Sequence, residues 1–206
     1  MTSQVKCRSE AKILIACEMS GIVREAFRKR GLNAWSCDIL PSEIPSDFHI
    51  QDDVLNHLND GWNMMIAHPP CTFLAATNHI TNTKRINFET EQQQGKDFFF
   101  EFINADIPYI AVENPVPIKR ANMPPYDQII QPYQFGHDYS KKTCLWLKNL
   151  PKLQPTNIIE ISYVYSSSGR RYTKGWYETP RKSIPRSRSF TGIADAMAEQ
   201  WGKMFN

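Results

Sequence analysis

The sequence predicts an α/β fold, with a mostly parallel sheet and helices on both faces. Three observations lead there. Short apolar runs alternate with longer stretches of helical composition, the pattern of βαβ units rather than of hairpins. Several runs end in polar residues, where open α/β sheets bind ligands beyond the carboxyl ends of their strands. The 206 residues, 41% hydrophobic and 22% charged, suit one domain with a buried core, or one domain with a small appendage.

The elements follow in order. Lys12 to Cys17 reads as a buried strand, closed by the turn Glu18-Met19-Ser20-Gly21. Ser20 is placed to cap a helix from Ile22 to Lys29, and Gly31 to stop it. Ala34 to Ile39 reads as a second strand with Asp38 at its end, and Trp62 to Ala67 as a third. Asn87 to Asn104 has the length and composition of a helix, with Phe98, Phe99 and Phe102 on or near one face. Pro108 to Val112 is another strand, followed at once by Glu113-Asn114-Pro115, and Thr143 to Leu147 one more. Residues 150–190 differ: they carry Pro151, Pro155, Pro180 and Pro185, a Ser166-Ser167-Ser168-Gly169 tract and a strand-like Ile158 to Tyr165 that suggests a small ribbon. Thr191 to Met204 has helical composition and is expected to pack back on the sheet. The organisation expected is a catalytic domain over 1–149, a basic insert over 150–190 and a returning helix over 191–206.

Composition narrows the classes. No apolar run approaches the roughly 18 residues of a membrane span, and Met1 to Glu10 is polar, unlike a secretory signal. The five cysteines, Cys7, Cys17, Cys37, Cys71 and Cys144, are odd in number and widely spaced, which argues against a disulfide framework. None forms a Cys-x-x-Cys pair, so no metal is expected, and a reducing cytoplasm fits. Net charge is only +3, yet Lys148 to Phe190 holds nine Lys or Arg against Glu160 and Glu178. Such a stretch is either a solvated basic tail or a surface that tracks phosphates.

One end of the chain points to a nucleoside. The turn Ala16-Cys17-Glu18-Met19-Ser20-Gly21 feeds a helix N-terminus, where backbone N–H groups approach anions. Asp38 follows Gly21 by 17 residues, close to the spacing at which an acid accepts bonds from ribose hydroxyls. Asp52-Asp53 either meets an adenine amino group or caps the turn at Val54-Leu55. Taken together, the three acids favour an adenosine-containing ligand.

The sharpest feature is His68-Pro69-Pro70-Cys71 straight after the apolar Met64 to Ala67. Two prolines fix the backbone and present the next side chain rigidly. A lone cysteine there is a packed hydrophobe or a nucleophile. Glu113, at the end of the next strand, would share a rim with it and favours the nucleophile. A thiolate adding at carbon 6 of cytosine makes carbon 5 nucleophilic, and a carboxylic acid at the ring nitrogen removes the charge that builds there. The thiol then needs nearby positive charge or a helix N-terminus to ionise. Asn114 would bond the base or hold the turn.

Pro-Pro-Cys after one strand and Glu-Asn after the next resemble the catalytic motifs of the cytosine-5 DNA methyltransferases, and the chain looks especially like short bacteriophage methylases. The resemblance implies a Rossmann-like class I S-adenosylmethionine-dependent methyltransferase fold, with S-adenosylmethionine as cofactor, cytosine-containing DNA as partner, Cys71 as nucleophile and Glu113 as the acid on the ring. It implies that Ala16 to Gly21 forms the cofactor turn, that Asp38 meets the ribose and Asp53 the adenine, and that Ile39, Asp52, Pro69 and Gly192 also line the cofactor site. It places Pro70, Asn114, Lys141 and Lys142 on the substrate. Ser140 to Leu147 resembles the family's arginine-bearing segment, with lysines in place of arginines. Phe190 to Ala198 resembles its terminal motif. The cofactor turn carries Cys17 and Glu18 where the family has a glycine-rich stretch, Thr72 follows the cysteine where glutamine is commoner, and the target-recognition region shrinks to residues 150–190. There Arg186 and Arg188 would touch phosphates, as would Arg170 and Arg171, with Tyr172 and Trp176 available to stack on bases. Alternative readings are the same chemistry on a free cytosine nucleotide or RNA, and a non-catalytic S-adenosylmethionine or nucleic-acid binding module of the phage anti-defence kind. Either a monomer or a homodimer is compatible with the sequence, and the host cytoplasm is the expected compartment.

Overall fold

The structure, a computed structural model, describes residues 10–76, 86–179 and 188–205. The N-terminal reading over Met1 to Ser9 with Cys7, and the readings of Pro180, Pro185 and Arg186, lie outside the described residues.

One sheet holds seven strands: β1 (Lys12–Ala16), β2 (Asn33–Asp38), β3 (His49–Gln51), β4 (Met64–Ala67), β5 (Tyr109–Pro115), β6 (Gln128–Ile130) and β7 (Thr143–Lys148). Their order is β3-β2-β1-β4-β5-β7-β6. β1 to β5 are parallel, while β7 runs antiparallel to both of its neighbours. This is the doubly wound order 3-2-1-4-5-6 with one antiparallel strand inserted before the last. The fold is therefore the Rossmann-like methyltransferase fold that the motifs imply.

Side chains alternate between two cores. Ile13 and Ile15 of β1, with Met64 and Ile66 of β4, pack under α1 (Ile22–Arg28). Leu14 and Ala16, with Met65 and Ala67, pack on the other face under α2 (Phe88–Ile103), through Phe99 and Phe102. Being buried on both faces is why β1 and β4 read as unbroken apolar runs. A two-stranded ribbon, β8 (Tyr163–Tyr165) with β9 (Arg171–Thr173), forms its own small sheet, as the sequence suggested. The five-residue α3 (Lys174–Glu178) follows it. The final helix, α4 (Thr191–Gln200), returns to the α1 face and buries Ile193, Met197 and, just past its end, Trp201.

Four local expectations need correction. β3 and β6 gave no sequence signal, because three residues are too few to show a period. β4 begins at Met64, because Trp62 is drawn into the preceding turn, where its Nε1 donates to the His57 carbonyl. β5 runs on through Glu113, Asn114 and Pro115, because β7 continues the ladder opposite them. Lastly, Ser20 is not the cap residue of α1, though its Oγ accepts from Ile22 N at 3.3 Å. The cap position is Gly21, at φ +71, and the buried N–H groups of Val23 and Arg24 donate to the buried Glu18 carboxylate at 2.7 and 3.2 Å. A carboxylate outcompetes a hydroxyl there because its charge meets both the bare N–H groups and the positive end of the helix dipole. Gly31, at φ +81, does follow the helix end.

Candidate active site

The ladder between β4 and β5 pairs Ile66 with Ala111 and Ala67 with Val112. One step further along lie His68 and Glu113, on the parity of Ile66 and Ala111 and therefore toward the α4 face. Their side chains meet: His68 Nδ1 lies 3.0 Å from Glu113 Oε2, with side-chain exposures of only 13% and 20%. Sequence reasoning named His68 in a motif but gave it no role. The signal was its position one residue past a strand, beside an acid one residue past the neighbouring ladder pair, which only the register makes readable.

Asn114 has the opposite parity. It is buried, and its Nδ2 donates to the Pro69 carbonyl at 3.0 Å. This bond ties the Pro-Pro-Cys turn to β5, so Asn114 holds the turn. The turn is fastened twice more. The backbone N–H groups of Leu74 and Ala75 donate to the Cys71 carbonyl, and Ile118 N and Ala76 N link the same segment to the loop after β5. Pro69 is buried and Pro70 exposed.

Cys71 is half-buried on this rim. Burial pushes its thiol up; the Lys141 ammonium draws it down, and the Glu113 carboxylate pushes it up again. The positive charge that the sequence required is thus present, but it does not outweigh burial. Burial also acts upward on Glu113, yet His68, Lys141 and Thr143 together hold that carboxyl below its usual range.

A shallow cavity, with about 380 Å³ of empty space counting the solvent at its open mouth, lies against this pair. His68, Glu113, Lys141 and Thr143 form its polar wall, Phe190, Ile193 and Met197 its apolar one, and Arg188 and Ser189 its rim. Neither Cys71 nor the exposed Lys142 lines this cavity. Arg188 also pairs with Glu43 at 2.7 Å, spanning from the segment before α4 to the loop after β2. Gly192 sits at the base of α4, where a Cβ would collide with the Phe135 carbonyl; its N–H donates to His137 Nε2 at 2.9 Å.

The other half of the edge gathers the remaining predicted residues. Glu18 N donates to the Cys37 carbonyl and Asp52 N to the Asp38 carbonyl, joining the ends of β1, β2 and β3. Burial pushes the thiol of Cys17, at φ +56, up, and the nearby Asp38 and Asp53 carboxylates add to this, so the turn and the two acids share one mouth. Glu18 is spent on α1 and so is not available to a ligand. Asp38 accepts from Leu40 N and Asp53 caps its turn through Leu55 N, each with one oxygen. Asp52 accepts from its neighbour's N–H and meets His57 Nε2 at 3.1 Å. Ile39 is 71% exposed beside Asp38. An adenosyl group fits this mouth: two carboxylates keep acceptor capacity next to an uncovered apolar side chain.

On the ribbon, Tyr172 and Trp176 stack on each other, centroids 4.8 Å apart. Tyr163, Tyr165 and Tyr177 are exposed, with the Arg171 guanidinium 4.4 Å from the Tyr163 ring centroid. Among the described residues, no His, Cys, Asp and Glu cluster is arranged to hold a metal, and no helix is long and apolar enough to cross a membrane.

No family model and no curated protein sequence matches the chain. Among solved structures it is similar to a protein assigned as a DNA modification methyltransferase encoded within a prophage (E. coli), at 15% identity over 74% of this chain and 53% of that one, with a TM-score of 0.48. It is also similar to a triple mutant of Spodoptera frugiperda DNMT2, at 14% identity over 73% of this chain and 54% of that one, with a TM-score of 0.40. The chain thus spans about half the length of these solved structures. The strand order itself carries the assignment of the fold: the sheet is that of the Rossmann-like methyltransferases.

Proposed function

We propose that this chain is an S-adenosylmethionine-dependent methyltransferase acting on carbon 5 of cytosine in DNA. The observation that carries the reading is the rim formed by β4 and β5, where a half-buried thiol, a carboxyl group and a lysine lie within electrostatic reach of one another beside a cavity. In this reading Cys71 adds to carbon 6 as the thiolate, its proton going to solvent, with Lys141 favouring the ionised form. Glu113 faces the ring nitrogen. Asn114 keeps the turn in place so that the sulfur meets the ring from a fixed direction. S-adenosylmethionine, with its ribose at Asp38, its adenine between Ile39 and Asp53 and its chain along the backbone of Ala16 to Gly21, would supply the methyl group. Arg188, Lys141 and the basic ribbon with Tyr163 and Tyr165 receive the strand that carries the cytosine. A base inside a duplex must be flipped out to reach this rim. The four cysteines among the described residues are free, which suits a reducing cytoplasm.

The test is covalent capture on DNA carrying 5-fluorocytosine, beside transfer of labelled methyl to duplex DNA, single-stranded DNA, RNA and deoxycytidylate. The expected result is a captured complex with wild type and none with Cys71→Ala. Methyl transfer by Cys71→Ala would overturn the mechanism. Tight cofactor binding with no transfer to any of the four substrates would replace the enzyme with a binding module.

A further inference from the structure

We propose that His68 and Glu113 act as a single acid, the proton destined for the cytosine ring nitrogen being stored on His68 Nδ1 and passed through the Glu113 carboxylate. The inference rests on the methyltransferase reading above and adds to it a residue that the motifs leave without a role.

Four observations lead to it. The ladder between β4 and β5 leaves the two side chains no choice but to face each other, and they do so at 3.0 Å in a largely buried setting. Second, His68 Nε2 is buried and has no hydrogen-bond partner among the described residues, so Nδ1 makes the imidazole's one described bond, and that bond is to Glu113. Third, both residues line the same cavity. Fourth, the surroundings of Glu113 favour its charged form, and a carboxylate held ionised has no proton to give. An adjacent imidazole removes that conflict.

The step balances. As the bond forms between Cys71 Sγ and carbon 6, the ring's π electrons shift until a pair rests on the ring nitrogen. His68 enters the step as the imidazolium: Glu113 takes the Nδ1 proton, leaving a neutral imidazole protonated on Nε2, and passes a proton to the ring nitrogen. Carbon 5, now electron-rich, would take the methyl group that bound S-adenosylmethionine supplies, the carbon–sulfur bonding pair staying on the cofactor's sulfur. Solvent water then takes the carbon 5 proton, the freed C–H pair re-forms the double bond to carbon 6, Cys71 leaves with the C–S pair as thiolate, and the ring nitrogen returns its proton through Glu113 to His68 Nδ1. His68 touches no substrate atom in this step and is a positioning and relay residue. The groups facing the pair are Lys141 before β7, Cys144 on β7, Cys71 after β4, Glu18 after β1 and Arg188 before α4. The imidazole holds the hydrogen bond to the Glu113 carboxylate.

The test compares wild type with His68→Asn in the full chain, by single-turnover methyl transfer to the best substrate across pH 5 to 9. Asparagine can still donate to Glu113 but stores no exchangeable proton. The expected result is a loss of about 10²-fold or more at pH 8, with partial recovery toward pH 5. A rate within about threefold of wild type and an unchanged pH profile would overturn the inference. A second measurement keeps the inference falsifiable where His68→Asn does not fold: NMR of the ring nitrogens in wild type should show a proton on His68 Nδ1, facing Glu113, and an Nδ1 without a proton throughout pH 5 to 9 would overturn the inference equally. Wild type that methylates and is captured while His68→Asn behaves identically defeats only this inference. Wild type that does neither defeats the parent reading and this one with it.

Discussion

The two halves of the sheet's carboxyl edge hold their polar residues in opposite ways. Along β1, β2 and β3 the acids bond to near neighbours: Asp38 to Leu40, Asp52 to Asp53, Asp53 to Leu55. These contacts lie largely at the surface and spare acceptor atoms. Along β4 and β5 the bonds run between His68 and Glu113 and between Asn114 and Pro69, each spanning 45 residues, and they are largely buried. A surface acid with capacity to spare can receive a ligand at little cost to the fold. Polar groups locked across two strands do the reverse: they hold a fixed geometry and tie function to stability.

The comparison can be broken at several points. The largest effect expected is on Cys71. Cys71→Ala should lower methyl transfer by at least about 10³-fold while leaving the urea midpoint near that of wild type, since the thiol is half-buried and carries no cross-strand bond. A collapse in stability instead would make it a packing residue. Next comes Asn114→Ala, which leaves the Pro69 carbonyl without its partner. It should cost about 1–3 kcal/mol in urea unfolding and reduce transfer as well, whereas a variant with wild-type stability would show that the turn needs no tie. Asp38→Ala is expected to behave differently. Cofactor affinity by calorimetry should drop about tenfold, with unfolding almost unchanged; unaltered affinity would remove the ribose assignment.

The subtlest effect is on pH dependence, and the two glutamates should differ in sign. Glu113 is held below its usual range in the fold, so the unfolded chain binds more protons near that range. Its contribution is present above about pH 4.3 and is lost as pH falls through the lowered value. Burial chiefly pushes Glu18 up, against the pull of His68 and of the bonds from Val23, Arg24 and Ser20. Its contribution is therefore an opposing one that sets in as pH rises above the same ordinary value. The stability difference between wild type and Glu113→Gln should shrink on acidification, and that between wild type and Glu18→Gln should shift toward wild type. Matching trends, measured by denaturant at several pH values, would mean that one of the two carboxyl environments is wrongly assigned.

Legibility in the sequence follows the same division. The helix stop at Gly31, the caps near Asp53 and the apolar runs of β1 and β4 depend on residues within a few positions, and they are readable in order along the chain. The ribbon of β8 and β9 was readable too, from turn residues between strand-like runs. What escaped reading was non-local. The cap by Glu18 was missed because a buried carboxylate five residues upstream is indistinguishable in sequence from a ligand contact. The mutual stacking of Tyr172 and Trp176 was missed because a ring free to stack and a ring already stacked have the same letters.

By itself the sequence determined the fold class and the residues presented at strand ends, because alternation, turn chemistry and strand-end position are local properties of the backbone. Only the tertiary structure decided which of those residues face each other. Strand order places β4 beside β5, and the register then sets His68 against Glu113 and Asn114 under Pro69. Register is set by the pairing of whole strands and by packing on both faces of the sheet. A shift of one residue would turn each of these side chains to the opposite face.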